Sequence, residues 1–390
     1  MSLTLDPTSL RAMRLHSQRI ARSAVDTHTV DTHTVATGTA PSSPVAETVR
    51  TLLAIQAQDF AQAVWAVGLR TAGSTRSDVM TAFANGEVVR SAPMRGTLHF
   101  LAAADLRWIL SLTAQRTLAS ERTRFAGLGL DDTTFERAAQ VASVELAGGV
   151  ALSREEFLAV LRRAGVSTEG QRGYHLIFQL SQRALVCWGP PRGNQQALVL
   201  VDEWIPPSPD MERSEALREF ALRYFTGHGP ATERDFAWWT KLTLADARSG
   251  IALARDALRE FALEGETFWA ADLSAADPRA ADPPAADPTD PVLRGALREV
   301  SLLPGFDEYL LGYQDRSHVL AAEHVQQVIP GKNGIFLPTL VSAGAVVGTW
   351  RKGDASGSTS TNAQPFASFT VRETAALRRS DTAYARFMAG

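Results

Sequence analysis

One supersecondary order recurs three times along the 390-residue chain, and it limits the possible folds more than any single residue does. The middle copy is the plainest. Leu152-Ser153-Arg154-Glu155-Glu156 sets a serine three residues ahead of a glutamate, the signature of a capped start, and an apolar-periodic helix follows through Phe157, Val160 and Leu161 until Gly165 stops it. A second helical pattern covers 169–183. Two β-rich runs, 184–188 and 196–201, then flank a Gly189-Pro-Pro-Arg192-Gly193-Asn194 turn, which predicts a hairpin. Helix, turn, helix, hairpin is the order of a winged helix, whose second helix commonly enters the DNA major groove while the hairpin forms the wing.

The third copy opens at Gly229-Pro230-Ala231-Thr232, where Thr232 caps a helix bearing Phe236, Trp238 and Trp239. Thr243 repeats the capping logic for a helix running to about residue 264, and a short strand covers 266–270. The first copy is interrupted. Helical pieces at 11–22, 45–58, 62–70 and 75–86 lead into strands at 88–90 and 96–101, with 75–86 in the recognition position. The fold class expected is α+β, with three tandem winged-helix units and a β-rich C-terminal lobe. The units divide as 1–110, 111–205 with its wing at 184–201, and 206–300, and the lobe covers 301–390.

Two stretches break the pattern. Residues 24–44 contain a perfect tandem repeat, Asp-Thr-His-Thr-Val at 26–30 and 31–35, and read as a flexible insertion; the paired His28 and His33 lack further ligands for a metal. Residues 271–291 cycle through Ala-Asp-Pro units, and proline there stops helices and removes donors. The acidic residues of this segment account for the net charge of −3, so the rest of the chain is near neutral and a nucleic-acid partner stays open. A single cysteine, Cys187, rules out an internal disulfide and a cysteine-ligated metal, and no uninterrupted apolar run is long enough to span a membrane. A soluble, cytoplasmic, nucleoid-associated bacterial protein without cofactor or membrane partner is expected.

Chemistry is concentrated in Leu53-Ala54-Ile55-Gln56-Ala57-Gln58-Asp59. A carboxamide is no general base at neutral pH, but it offers an acceptor oxygen and two donors in one plane. Two of them at a helix end can hold one water and aim its lone pair. That is enough only for a substrate already activated to leave, such as a cationic N7-alkylated guanine departing through an oxocarbenium-like sugar. The spacing alone equally admits two glutamines on a polar helix face.

The run Leu53-Ala-Ile-Gln56-Ala57-Gln58 resembles the Gln-x-Gln motif of the tandem winged-helix DNA glycosylases that unhook interstrand crosslinks, the AlkZ-like group, whose YcaQ-like relatives carry Gln-x-Asp. Further matches are Arg95-Gly-Thr-Leu-His99, Gly229-Pro-Ala-Thr-Glu-Arg-Asp235-Phe-Ala-Trp-Trp239, Leu303-Pro-Gly-Phe-Asp307-Glu-Tyr-Leu-Leu-Gly312-Tyr and Gly334-Ile-Phe-Leu-Pro338. Together they cover most of 45–352. The resemblance implies that Gln56 and Gln58 position the hydrolytic water in a cleft between the units, that the wing near Arg192 and Asn194 approaches a DNA groove, and that the substrate is double-stranded DNA bearing alkylated or crosslinked purines. The repeat-bearing insertion departs from the family pattern and bears on access at that edge.

Asp59 and His99 are accessory candidates: Asp59 either polarises the same water or caps a helix, and strand alternation turns His99 away from Leu98 and Phe100. Arg95, Arg172, Arg183, Arg192 and Asn194 are the candidate DNA contacts. Asp307 and Glu308 form an acidic pair that suits acid/base work or, with Arg316 close behind, a structural ion pair, and Trp238 with Trp239 read as core. No lysine lies near the motif, which fits a water nucleophile rather than a Schiff base. A monofunctional, monomeric glycosylase follows; the alternative is a winged-helix transcription regulator without chemistry, which would usually bind symmetric sites as a dimer.

Overall fold

Capping residues start the helices where the sequence places them. In the computed structural model, Ser153 and Glu156 form a reciprocal capping box on Arg154–Arg163, Thr232 and Asp235 form one on Glu233–Thr240, and Thr75 and Asp78 form one on Arg76–Ala84. The structure describes residues 3–20, 42–192, 195–207, 210–272, 291–331, 334–353 and 360–390. His28, His33 and most of the 24–44 insertion, Asn194 and residues 273–290 lie outside the described residues.

The strands, in chain order, are β1 (Leu3–Thr4), β2 (Ile55–Gln56), β3 (Val88–Met94), β4 (Thr97–Ala102), β5 (Val186–Arg192), β6 (Gln195–Leu200), β7 (Leu258–Leu263), β8 (Glu266–Ala271), β9 (Val300–Leu303), β10 (Thr339–Ser342), β11 (Ala345–Lys352) and β12 (Thr361–Pro365). The hairpins of the first two units are not separate wings. They join edge to edge into one five-stranded sheet, β2-β4-β3-β5-β6, through an Arg90–Trp188 pairing. The third hairpin, β7–β8, gains a parallel strand from the N-terminus, β1. The closing lobe is a four-stranded antiparallel sheet, β12-β11-β10-β9.

The third unit and the lobe differ from expectation. The helix from Thr243 stops at Leu253, and residues expected to continue it form β7, which pairs along its whole length with β8. The lobe is also not only β: the 19-residue helix Val371–Ala389, started by a Thr370/Glu373 capping box, drives Tyr384 and Phe387 into the first unit's core, against Trp65.

That packing ties the lobe to the first unit, and an ion pair fixes the joint. Arg70, at the end of Phe60–Arg70, meets Asp307 in a bidentate pair at 2.7 and 2.8 Å, both side chains essentially sealed from solvent. Asp307 therefore pairs with Arg70 and not with Arg316, whose guanidinium instead donates to the Leu310 and Gln314 carbonyls and covers the Trp238 and Phe336 rings. The two partners are 237 residues apart in sequence, beyond the reach of any local pattern. Cys187 is buried in the largest core cluster, and burial pushes its thiol up to about 12. Among the described residues no helix is long and apolar enough to cross a membrane.

Breaking the buried pair leaves one charge uncompensated, so Asp307→Ala should destabilise the fold by about 3–5 kcal/mol. Replacing both partners with apolar residues of similar size, as in Arg70→Met with Asp307→Leu, should recover much of that loss. Thermal and urea denaturation of the two variants against wild type checks both expectations.

Candidate active site

The glutamine motif does not sit at a helix end. The helix capped by Ser43, Pro44–Thr51, ends at Leu52, and Leu53 takes a left-handed φ of 64° that turns the chain into β2. A left-handed leucine costs about 1–2 kcal/mol, and burial of Leu53 and Ala54 in the central core holds it there. From Ile55 on the chain is extended against β4, with Ile55 opposite Phe100, Gln56 opposite His99, and the Ala57 N–H donating to the Leu98 carbonyl at 2.7 Å. Burial then alternates: Ile55 and Ala57 are sealed in the core, Gln56 is half-buried and Gln58 is exposed. In extended chain, residues two apart share a side, so the apolar positions anchor the strand and the two amides emerge together.

Three contacts pin this strand. The Glu308 Oε1 accepts the Gln56 backbone N–H at 2.9 Å. Arg90 donates to the carbonyls of Ala57 at 2.9 Å and Gln58 at 3.2 Å while lying over the Phe60 ring. The Leu98 N–H donates to the Gln58 side-chain oxygen at 3.2 Å, fixing which way that amide faces. The Gln56 side-chain amide has no protein hydrogen-bond partner among the described residues, so both its donors and its acceptor are free for a small molecule such as water.

Glu308 is the hub. It starts the short helix Glu308–Leu311, capped by Asp307, and it is 1% exposed. Its second oxygen accepts the Trp239 indole N–H at 2.8 Å and lies 3.5 Å from the His228 Nε2; Arg95 stands 3.8 Å from the first oxygen. Burial alone would raise the carboxyl, but the His228 imidazole and the Arg95 guanidinium outweigh it and hold Glu308 at about 2, below its ordinary 4.5. His228 itself stacks on Tyr224 at 4.7 Å. Its helix comes close to the first unit because Gly227 is bare: a Cβ there would stand 2.5 Å from the Thr51 carbonyl.

Arg95 and Gly96 form the two-residue turn between β3 and β4, with φ of 57° and 68°. Two successive left-handed residues are what a type I′ hairpin turn requires, and glycine supplies the second without strain. The turn bends the Arg95 side chain inward, where it meets His99, the Leu311 carbonyl and the faces of Trp238 and Trp239. Arg95 was expected on DNA; its side chain, 8% exposed, faces the interior instead. His99 is fully buried between the Thr97 carbonyl on Nδ1, at 2.8 Å, and Arg95 on Nε2, at 2.9 Å. Nδ1 must donate and Nε2 must accept, so the ring is neutral. Burial and the neighbouring Arg95 charge push it down to about 3.

The other candidates take supporting positions. Asp59 caps Phe60–Arg70 by accepting the Gln62 N–H, and does not reach the amides' side of the strand through any hydrogen bond shown. Arg172 binds the carbonyls of Leu128 and Gly129, Arg183 pairs with Glu136 at 2.9 Å, and Arg192 pairs with Glu156 at 2.6 Å. Trp239 is core, as expected, and Trp238 is only partly buried beneath Arg95 and Arg316. Sequence reasoning misses Glu308, His228 and Arg90 as site residues. The acidic pair at 307–308 was the one available signal, and nothing local says that its second member reaches Gln56.

The family described as DNA glycosylase AlkZ-like matches residues 49–387. The interstrand DNA cross-link repair glycosylase of Streptomyces sahachiroi is 29% identical over 336 residues, covering 80% of this chain and 82% of that protein. The solved structure of Streptomyces sahachiroi DNA glycosylase AlkZ superposes with a TM-score of 0.74 at 25% identity, covering 100% of this chain and 98% of that one.

The depressed pKa of His99 makes a stability prediction. The unfolded chain takes up a proton on His99 near its ordinary 6.5, whereas the folded site stays neutral to about 3, so stability is lost as pH falls from 6.5 toward 3 and is unaffected above 6.5. Glu308 adds a lower window, its contribution present above 4.5 and lost as pH falls through about 2. Denaturation of wild type and His99→Gln between pH 7 and 4.5 should show a shallower pH slope in the variant, by up to about 1.4 kcal/mol per pH unit. Equal slopes would mean that His99 gains its proton in the folded state.

Proposed function

The chain belongs to the AlkZ-like DNA glycosylase family, and from that premise we propose that Gln56 and Gln58 hold and aim the water that hydrolyses the N-glycosidic bond of a crosslinked or bulky N7-alkylpurine. The protein is a DNA glycosylase of the kind that unhooks interstrand crosslinks. The observation that carries the residue assignment is the extended strand: Ile55 and Ala57 bury inward, and the amides at 56 and 58 stand together on the open side.

The chemistry asks little of the protein. An N7-alkylated guanine carries its positive charge in the leaving group, so it departs as a neutral base with the bonding pair, and no general acid is required. Positive charge passes to the sugar, and water adds at C1′ while losing its proton to solvent. Amide oxygens stabilise the developing oxocarbenium and orient the water, which is preorganised dipolar catalysis. The Gln58 amide is held by the Leu98 N–H, and Glu308 fixes the backbone that carries Gln56, so the strand that bears the two amides is set in place before the reaction. Glu308 is a positioning residue.

We further read the substrate as purine adducts in double-stranded DNA, the enzyme as a monomer, and its place as the bacterial cytoplasm. Arg183 and Arg192 are 35% and 46% exposed, in surface pairs with Glu136 and Glu156. Such pairs are worth about 0–1 kcal/mol, so exchanging a carboxylate for a phosphate is cheap. These two suit backbone contacts better than the inward Arg95, and Arg172 serves to hold the 128–129 turn.

With a duplex carrying an N7-guanine crosslink, wild type should release the base and leave an abasic site. Gln56→Ala and Gln58→Ala should each lower single-turnover excision by about 100-fold or more while changing duplex affinity little. Normal excision by both variants would remove the assignment.

A further inference from the structure

Beside the Arg95–Gly96 turn, the second unit opens a cavity of about 940 Å³ that plays no part in positioning the water. It lies between the C-terminal half of the helix Leu106–Gly127 and the N-terminal half of Arg172–Gln182. Tyr174 presents its ring there, 39% exposed, lying parallel to Phe178 at 15° and edge-on to His175. Its hydroxyl donates to the Gly96 carbonyl at 3.3 Å, which ties the ring to the β3–β4 turn. His175 lines the same cavity and is 7% exposed, yet its Nδ1 has no hydrogen-bond partner among the described residues. Buried polar atoms are nearly always satisfied, so an orphan lining a cavity marks a place for a ligand's polar edge. Burial holds the His175 pKa below the ordinary histidine value, which leaves a neutral ring able to donate or accept. Arg124, bonded to Gln171, supplies a cation at the rim.

An exposed aromatic face, an unsatisfied polar atom below it and a guanidinium beside it are the elements that seat a flat ring with a polar edge. We propose that this cavity receives a planar aromatic ring joined covalently to the scissile purine, stacked on Tyr174 with its polar edge toward His175. The placement rests on reading Gln56 and Gln58 as the water-positioning pair. Gly96, in the turn, lines the cavity, and Leu98, two residues further along the chain on β4, bonds Gln58, so the same end of one hairpin touches both stations. The ring has two chemical sources, the partner nucleobase of a crosslink or the aromatic substituent of a bulky monoadduct.

The test uses the full-length enzyme and three duplexes, carrying N7-methylguanine, an N7-(naphthylmethyl)guanine, or an N7–N7 guanine crosslink through an aliphatic chain. The readout is the ratio of kcat/KM for each ringed substrate to that for N7-methylguanine. In Tyr174→Ala this ratio should fall about tenfold, mainly through KM, and Tyr174→Phe, which keeps the face, should restore it. A fall confined to the naphthyl substrate assigns the cavity to substituents, and a fall confined to the crosslink assigns it to the partner base. Ratios unchanged from wild type for both ringed substrates would overturn the proposal. If Tyr174→Ala does not fold, Tyr174→Leu keeps the apolar volume and lacks the aromatic face, so the same comparison stands. Gln58→Ala separates the two readings: loss of all three activities supports the amide assignment, while retained activity with a Tyr174-dependent ratio would leave the cavity standing and the catalytic assignment fallen.

Discussion

A buried carboxylate holding the backbone of a strand 252 residues away is the contact on which the site depends. Glu308 meets the Gln56 N–H, and a hydrogen bond to a charged acceptor is worth about 1.5–3 kcal/mol net when its desolvation is covered. Here it is covered by the Trp239 indole, by Arg95 and by the nearby His228 ring, which keep the carboxylate ionised in an apolar interior. These partners come from the first unit, the third unit and the closing lobe. The site therefore exists only when all three have docked. Arg70 and Asp307 act one residue away on the same joint, so stability and active-site geometry share a hinge point.

The electrostatic arrangement suits the reaction proposed for it. The amides at 56 and 58 are neutral and partly exposed, while the titrating groups behind them are locked in single states: Glu308 anionic, His99 neutral. A site for a substrate that brings its own activation needs no group poised to exchange protons near pH 7. It needs dipoles on a fixed support, and the Arg90 clamp on the Ala57 and Gln58 carbonyls with the Leu98 bond to the Gln58 amide provides that support.

Much of the architecture was legible because it is encoded locally. Ser153, Thr232 and Thr75 with their acidic partners mark helix starts within four residues, whereas β3 runs past the strand expected at 88–90 and the Arg95-Gly96 turn takes the first residue of the one expected at 96–101. The failures share the opposite cause. Residues 52–58 carry a helical pattern, yet core packing of Leu53 and pairing with β4 override propensity and make the motif a strand. Residues 258–263 join a sheet for the same reason. The fusion of two wings into one sheet, the partner of Asp307 and the reach of Glu308 to Gln56 are contacts across long sequence separations, and no pattern within a window of residues encodes them. The Val371–Ala389 helix is different: its Thr370/Glu373 box and its Tyr384 and Phe387 were there to be read, and the β-rich reading of the lobe passed over them.

The most direct test of the central claim is a crystal structure of the enzyme bound to duplex DNA carrying a cationic pyrrolidine in place of the target deoxyribose, a mimic of the oxocarbenium charge. The account predicts an ordered water hydrogen-bonded to the side-chain amides of both Gln56 and Gln58 and in line with the position of C1′, with the Glu308 bond to the Gln56 backbone intact. A target sugar seated away from β2, or a water held by other groups with both amides turned to bulk solvent, would contradict it.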